Sequence, residues 1–391
     1  MTGGKWLRVR GGAHDGKVSY VELFFDLVFV FSITQLSHLI AAHYTPMGVL
    51  EGVVLVLAVW WLWMFTTWAM NWLDPAKLAV RFLLFAMMLG GLLLSVAIPK
   101  AWDGLALLFA ITFVAMQVGR SLFMALSFYP DKPVNAVNFL RIAAWMTASG
   151  VFWIAGALAE HELRLWLWLL ALAIEYTGPA TAFWVPRLGA SSTLSWDISG
   201  SHMAERCALF IIICLGESII ISGATFAESE HSGALSLAFL SAFLTTCAMW
   251  WVYFHAGHEK ATYLIEKSED PGRVARSVFT YAHILIVLGI ILDAVGAEFM
   301  LAHPSGHSGL KEASAIIGGP AIFLVGNLWF KGMVWGRAPL SHMGGLALMA
   351  LLALVHPVLE PWQLGLCVAA ALCVTAVWEL ISLSDRNAVA R

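Results

Sequence analysis

Of the 391 residues, 60% are hydrophobic and only 12% are charged, whereas about 25% of the residues of an average soluble domain are charged. The formal net charge of −3 is too small to indicate nucleic acid or another strongly charged partner. The composition therefore excludes an ordinary soluble domain and predicts an all-α, polytopic membrane protein whose surroundings are the lipid bilayer.

Hydrophobic stretches, taken in chain order, predict about twelve membrane-spanning helices, because about 20 apolar residues are needed to cross a bilayer. They cover residues 20–43, 48–72, 78–98, 103–127, 137–159, 163–186, 203–226, 233–256, 277–300, 313–335, 340–358 and 363–382. The first segment, 1–19, is basic and polar and lacks the hydrophobic core of a removable signal, and residues 383–391 form a short tail. The connections are too short to contain a soluble domain.

The distribution of basic residues predicts the orientation, because Lys and Arg accumulate in cytoplasmic loops. If the N-terminus is cytoplasmic, only three of the 22 basic residues fall on the outer side, namely Lys100, Arg164 and Lys311. A missed or additional helix would disturb this alternation. Both termini are therefore predicted to be cytoplasmic.

The two halves of the chain resemble each other, which predicts an internal repeat formed by residues 20–197 and 198–382. Residues at matching positions are Glu22 and Glu205, Trp60-Trp61 and Trp250-Trp251, Arg81 and Arg276, and Glu175 and Glu379. Because each half has an even number of predicted spans, both would enter the membrane in the same direction as parallel six-helix pseudo-repeats. The alternative is that hydrophobic helices align by chance.

Three motifs in this chain also resemble a known family. They are the run VELFFDLVFV at residues 21–30, the pair Glu205-Arg206 and the run LGES at residues 215–218. Together they are similar to the bacterial low temperature requirement A family of integral membrane proteins, over nearly the whole chain. The resemblance implies a multi-pass protein of the bacterial cytoplasmic (inner) membrane, and it implies no particular reaction or substrate.

Acidic and histidine side chains deep in the predicted spans are candidates for ion coupling or ligand binding. They are Asp26 in the first span, Glu217 in the seventh, and His283 and Asp293 in the ninth. A carboxylate inside a bilayer costs about 2.5–3.5 kcal/mol on insertion scales, so such residues indicate a proton or ion pathway. The alternative for each is a buried polar residue satisfied by hydrogen bonds, and this alternative is open for His283 in particular.

Charged residues near the cytoplasmic ends of the spans are candidates for structural ion pairs or a gate. Glu22 is predicted to pair with Arg81, and Glu205 with Arg276 or Arg206. Asp26 has no evident basic partner in its local sequence. It is therefore expected to be the unpaired acid of the first span.

No motif in the sequence indicates a cofactor or a metal site. The five cysteines lie inside apolar segments, and His255, His258 and Glu259 lack the spacing of a zinc site. The pattern predicts a secondary transporter of a small solute or ion, coupled to protons or another cation, rather than an enzyme. An intramembrane enzyme or binding protein acting on a lipid or quinone, and an ion channel, are the alternatives.

Overall fold

The computed structural model describes residues 6–9, 16–191, 196 and 198–389, and this part of the chain is dominated by helices. In chain order they are α1 (Tyr20–Ala42), α2 (Pro46–Trp72), α3 (Leu78–Ala97), α4 (Ala106–Phe128), α5 (Pro133–Leu158), α6 (His161–Thr177), α7 (Gly200–Glu228), α8 (Gly233–Phe254), α9 (His258–Lys267), α10 (Pro271–Ala275), α11 (Ala282–Ala302), α12 (Leu310–Trp335), α13 (Leu340–Val355) and α14 (Pro361–Val389). A π-helical stretch, Arg276–Tyr281, joins α10 to α11. The all-α prediction is confirmed.

Several helix ends follow directly from local chemistry. The Thr45 hydroxyl accepts a hydrogen bond from Gly48 N at the start of α2, and the Ser232 hydroxyl accepts one from Leu235 N at the start of α8. Each bond satisfies an amide that has no partner within its own helix. α12 ends just before Gly336, which takes a left-handed conformation with φ 68° that a glycine adopts without steric cost.

Eleven helices in the described residues are long and apolar enough to cross a membrane. Their outward side chains are apolar, for example Phe82, Leu89 and Ile381, which are 60%, 61% and 55% exposed. In water such a surface would be costly, whereas lipid solvates it. The chain is therefore a multi-pass membrane protein, as predicted.

The sixth predicted span, residues 163–186, is not a single helix. α6 ends at Thr177 after 17 residues, which at 1.5 Å per residue is shorter than the hydrocarbon core of about 30 Å. Pro179 has no amide hydrogen to continue the helix, and Ala182 and Phe183 have positive φ values of 52° and 48°. The described residues therefore contain eleven helices of spanning length where about twelve were predicted, and the difference is α6.

Beyond α6 the chain runs along α5 in an irregular conformation. Trp145 Nε1 donates a hydrogen bond of 3.0 Å to Trp184 O, and Arg141 Nε donates one of 3.1 Å to Leu188 O. Backbone carbonyls at membrane depth need such protein donors, because lipid supplies none. Residues 178–188 therefore extend α6 back to the level of Arg141, nine residues into α5.

Two compact units make up the fold. Unit 1 comprises Thr45–Arg206, the preceding residues up to Leu39, and Ile265–Ala275. Within it α2 packs against α4 and α6, α4 against α3 and α5, and α5 against α6. Its interior contains large indole side chains that are at most 2% exposed, namely Trp60, Trp61, Trp63, Trp153 and Trp168.

Unit 2 comprises Ile40–Tyr44, Cys207–Leu264 and the chain from Arg276 onward. Within it α8 packs against α11, α12 and α14, while α12 packs against α11 and α13. α13 and α14 are also in contact. The contact between α11 and α12 is the most extensive of these, and its close approach depends on glycines in both helices.

Candidate functional site

The acids of α1 lie on the buried face of a helix whose other face is exposed. Glu22 and Asp26 are both 0% exposed, whereas Tyr20 and Leu27 are 92% and 58% exposed. A spacing of four residues places the two carboxylates one above the other on the same face. This shared face points into the protein, and both charges need compensation there.

Asp26 is compensated by an arginine from α7. Arg206 Nη1 donates to Asp26 Oδ2 at 2.9 Å and Nη2 donates to Oδ1 at 2.7 Å, and both side chains are 0% exposed. Trp63 Nε1 donates a further bond of 2.8 Å to Oδ1. The expectation that Asp26 is unpaired is wrong, because its partner is 180 residues away in sequence and only packing brings it close.

Arg206 is held by more than its carboxylate. Its Nη1 also donates to the backbone oxygen of Glu22 at 2.9 Å, and its guanidinium lies 5.5 Å from the centre of the Trp63 ring. A planar guanidinium suits such a site, since it donates in two directions and stacks on an aromatic face. The pair fixes the start of α7 to α1 with no net charge.

Glu22 is compensated by groups from outside its own helix. Arg8 Nη2 donates to Glu22 Oε2 at 3.0 Å, and His202 Nε2 lies 2.8 Å from Oε1. Ser19, just before α1, donates to Glu22 Oε2 from its backbone amide at 2.9 Å and from its hydroxyl at 2.7 Å, and the amide bond is the one that a Glu at the third helical position makes in a capping box. The predicted pairing with Arg81 is wrong, because Arg81 is an exposed side chain whose Nε donates to Pro75 O.

The hydrogen on His202 can be placed from its neighbours. Asn71 Oδ1 accepts from Ser199 N at 3.0 Å, which directs the Asn71 amide group towards His202 Nδ1 at 3.4 Å. Nδ1 then faces a donor, whereas Nε2 lies 2.8 Å from the carboxylate oxygen of Glu22, which only accepts, and 3.3 Å from Arg8 Nη2. Because the contact with Glu22 is the shorter one, Nε2 carries the hydrogen and donates to Glu22. This α1 charge network, defined as Arg8, Glu22, Asp26, His202 and Arg206, is therefore neutral overall.

Glu205, another predicted clamp residue, is not one of the residues that bond to Glu22 or Asp26. Glu205 is exposed, and its Oε2 accepts from Val18 N at 3.2 Å. The pairing of Glu205 with Arg206 is therefore wrong, because Arg206 is turned inward to Asp26. Arg276 begins the π-helical stretch before α11.

Two of the predicted coupling residues are buried acids without a bonding partner. Glu217 in α7 is 3% exposed and Asp293 in α11 is 7% exposed. Within the part of the chain that the structure describes, no group donates a hydrogen bond to either carboxylate, and neither forms an ion pair. Ser218, next to Glu217, is also buried with an unbonded hydroxyl. For these acids, unlike those of α1, the described residues supply no group that balances a charge.

His283, the fourth predicted coupling residue, is satisfied inside unit 2. Its Nδ1 lies 3.0 Å from Val278 O and its Nε2 lies 2.8 Å from the Tyr253 hydroxyl. Because a carbonyl only accepts, Nδ1 donates, and Nε2 accepts from Tyr253. Val278 belongs to the π-helical stretch, where the carbonyls lose their usual i+4 donors. The geometry therefore agrees with the alternative of a hydrogen-bonded core histidine.

Each unit also contains a buried cation, Arg120 on α4 in unit 1 and Lys331 on α12 in unit 2. In unit 1, Arg120 Nη1 donates to Leu62 O at 3.1 Å, and Gln117 links Arg120 to Glu175. In unit 2, Lys331 Nζ donates to both carboxylate oxygens of Glu379 at 2.7 Å. A basic residue within an apolar run such as NLWFKGMVW must find a partner, and this signal was available in the sequence.

Comparison with known proteins identifies the family of this chain. Residues 17–377 match the family described as Bacterial low temperature requirement A protein (LtrA). The chain belongs to the LtrA family. An uncharacterised protein of Rhizobium meliloti (strain 1021) is 43% identical over 379 residues, covering 97% of this chain and 92% of that relative. No solved structure matches the chain.

The resemblance to the LtrA family inferred from the motifs is thereby confirmed. The matched region contains the paired acids of α1 and the unpartnered acids Glu217 and Asp293, whereas Arg8 and Glu379 lie outside it. In the described residues no three His, Cys, Asp or Glu side chains group in a way that could hold a metal ion.

Proposed function

We propose that this protein is a secondary transporter of a small solute or ion, coupled to protons or another cation through intramembrane carboxylates. The observation that carries the proposal is that Glu217 and Asp293 are buried without a bonding partner in the described residues. An isolated ionised carboxylate is costly in an apolar interior, so its charge is balanced by a proton or a cation taken from solution. Reversible uptake of that ion is what coupling requires.

The ion pair of Asp26 with Arg206 is the second feature that can respond to a proton. Protonation of Asp26 would remove the negative charge that Arg206 faces and would weaken the attachment of α7 to α1. A proton at Asp26 would therefore change the packing of a helix that also carries Glu217. His283 is assigned a structural role, because both of its ring nitrogens are bonded.

Flux measurements on the reconstituted full chain test the proposal. Proteoliposomes containing pH-sensitive and cation-sensitive dyes would be given a pH, Na⁺ or K⁺ gradient and a panel of small solutes. We expect a proton or cation signal that depends on at least one solute and is lost in Asp293→Asn or Glu217→Gln. The exposed acid Asp131 provides the matched control, because Asp131→Asn removes a carboxylate of the same kind from a loop.

Three outcomes of this experiment would overturn the proposal. They are no flux under any gradient, flux that is unchanged in both variants, and large solute-independent currents in electrical recordings. The last result would assign the protein to the ion channels instead.

We further propose that the chain consists of two parallel six-helix repeats, residues 20–197 and 198–382, as the sequence predicts. Each helix contact of unit 1 has a counterpart in unit 2, with α2, α3, α4, α5 and α6 corresponding to α8, α11, α12, α13 and α14. The buried cations support the same alignment. Arg120 donates to Leu62 O and Lys331 donates to Val252 O, and these carbonyls follow the matched tryptophan pairs at the same distance in sequence.

We also propose that the protein lies in the cytoplasmic (inner) membrane with both termini cytoplasmic. This orientation requires the chain to cross at α6, and the extension of α6 along α5 by residues 178–188 supports such a crossing. Reporter fusions after residues 43, 189, 230 and 389 test it together with the parallel repeats. We expect periplasmic reporters at 43 and 230 and cytoplasmic reporters at 189 and 389. A periplasmic reporter at 189 would contradict both proposals.

A further inference from the structure

The contact between α11 and α12 is unusually close because glycines face backbone on both sides. Gly289 and Gly296 of α11 lie seven residues apart, and so do Gly319 and Gly326 of α12. A Cβ at Gly296 would lie 2.8 Å from Ala315 O, and one at Gly326 would lie 2.7 Å from Ile286 N. Since the obstructing atoms belong to the backbone, they cannot rotate away. Glycines thus permit this approach at membrane depth.

Asp293 lies in the middle of this glycine contact. It follows Gly289 by four residues and precedes Gly296 by three, so all three residues share the face of α11 that is turned to α12. Its backbone faces Gly319, where any Cβ would collide with Asp293 N. Asp293 is nine residues from the end of α11, about 14 Å at the helical rise, and so lies near the centre of a bilayer of about 30 Å.

The opposite helix offers a carbonyl with spare bonding capacity at the same level. α12 contains Pro320 in its interior, and proline has no amide hydrogen to donate to the carbonyl four residues earlier, that of Ile316. Ile316 packs against α11 at Gly296, where its Cα lies 2.9 Å from the position of a Cβ. Asp293 and Ile316 therefore lie on facing stretches of α11 and α12, one helical turn apart along the glycine contact.

We propose that Asp293 and the carbonyl of Ile316 form part of a binding site for a monovalent alkali cation. Hard cations prefer carboxylate and carbonyl oxygens, and helix carbonyls freed at membrane depth serve this purpose in transporters. One carboxylate balances one positive charge, so a divalent cation would leave an uncompensated charge in the apolar interior. This inference rests on the proposed transport function and names the ion that Asp293 couples to.

Cation-dependent stability of the purified full chain in detergent tests this site without requiring flux. The unfolding temperature would be measured in increasing NaCl or KCl, with choline chloride keeping the ionic strength and chloride constant. A ligand that binds the folded state raises the unfolding temperature in proportion to the logarithm of its concentration once the site is filled. We expect such a rise with Na⁺ or K⁺ and none with choline.

Variants around the contact locate the effect. Asp293→Asn is expected to weaken the apparent cation affinity about tenfold or more, and Pro320→Ala, which restores the amide donor for Ile316 O, is expected to weaken it as well. Gly319→Ala should abolish the response, because the new Cβ forces the helices apart. Gly318→Ala is the matched control, since a Cβ there meets nothing within 4 Å, and it should retain the response.

The outcomes separate this inference from the proposed transport function. No response of the wild-type chain to Na⁺ or K⁺, or an unchanged response in Asp293→Asn, would overturn the cation site even if proteoliposomes showed proton-coupled flux. Conversely, an Asp293-dependent cation response in a protein without any flux would leave the site standing and remove the transport proposal.

Discussion

Glu22 and Asp26 of α1 are buried as deeply as Glu217 of α7 and Asp293 of α11, yet their surroundings differ. The α1 acids receive bonds from arginine, histidine, tryptophan and serine side chains at 2.7–3.0 Å. The other two receive none from the described part of the chain. The four acids therefore differ in the side chains that surround them.

This comparison shows that burial alone does not identify a functional carboxylate in a membrane protein. A carboxylate that faces a fixed cation contributes to the attachment of one helix to another, and loss of either member leaves a buried charge. A carboxylate without a partner contributes nothing to packing and retains the cost of its own burial. Breaking a charge pair should therefore lower the free energy of unfolding, whereas replacing an unpartnered acid should change it little.

The largest loss of stability is expected for Arg206→Met, because this substitution leaves Asp26 as a buried acid without its arginine. Breaking one side of a buried ion pair typically costs about 3–5 kcal/mol, and Arg206 also donates to Glu22 O. The measurement is chemical or thermal unfolding of the purified protein in detergent. Adding Asp26→Asn to this variant should recover part of the loss, because the unpaired charge is removed.

Arg81→Met provides the control for that variant. Arg81 was the arginine expected to pair with Glu22, and in the structure it is exposed and donates to Pro75 O. We expect no measurable change in unfolding. A loss comparable to that of Arg206→Met would contradict the arrangement described for α1.

An intermediate effect is expected for His202→Ala, which removes one of several donors to Glu22. Hydrogen bonds to charged groups contribute about 1.5–3 kcal/mol, and Arg8 and Ser19 remain bonded to Glu22 in this variant. Unfolding measured as above checks the size of the loss. His161→Ala serves for comparison, since His161 pairs with Glu51 in a more exposed position and its loss should have little effect.

The smallest effect on stability is expected for Asp293→Asn and Glu217→Gln, which replace the unpartnered acids. Neither acid has a bond to lose in the described residues, so the free energy of unfolding should stay within about 1 kcal/mol of wild type. Coupled flux should nevertheless be lost in proteoliposomes. If these variants unfold as readily as Arg206→Met, both acids are structural and the transport proposal fails.

Much of the fold could be predicted because bilayer solvation acts on each segment separately. Apolar length places each span within a few residues, and the four-residue spacing of Glu22 and Asp26 places both on one helix face. The exception is α6, where Gly178-Pro179 ends the helix while apolar composition continues. The residues after Pro179 are mostly apolar, as hydropathy predicts for a span. Their irregular backbone, however, is held by hydrogen bonds from Arg141 and Trp145 of α5.

The charge pairs could not be predicted because they join residues that are distant in sequence. Asp26 and Arg206 are 180 residues apart, and Lys331 and Glu379 are 48 apart. A prediction from closeness in sequence paired Glu22 with Arg81 and left Asp26 without a partner. Only helix packing decides which of several basic side chains reaches a given carboxylate.

The sequence by itself determined that the protein is a multi-pass helical membrane protein of the LtrA family, and it indicated that Asp26, Glu217 and Asp293 lie inside the spans. These properties follow from local composition, because every stretch of chain must meet the solvation demands of lipid on its own. The tertiary structure decided which acids are paired and which receive no bond from the described part of the chain. Pairing depends on distances of about 3 Å between side chains of different helices, and such distances are set only when the helices have packed.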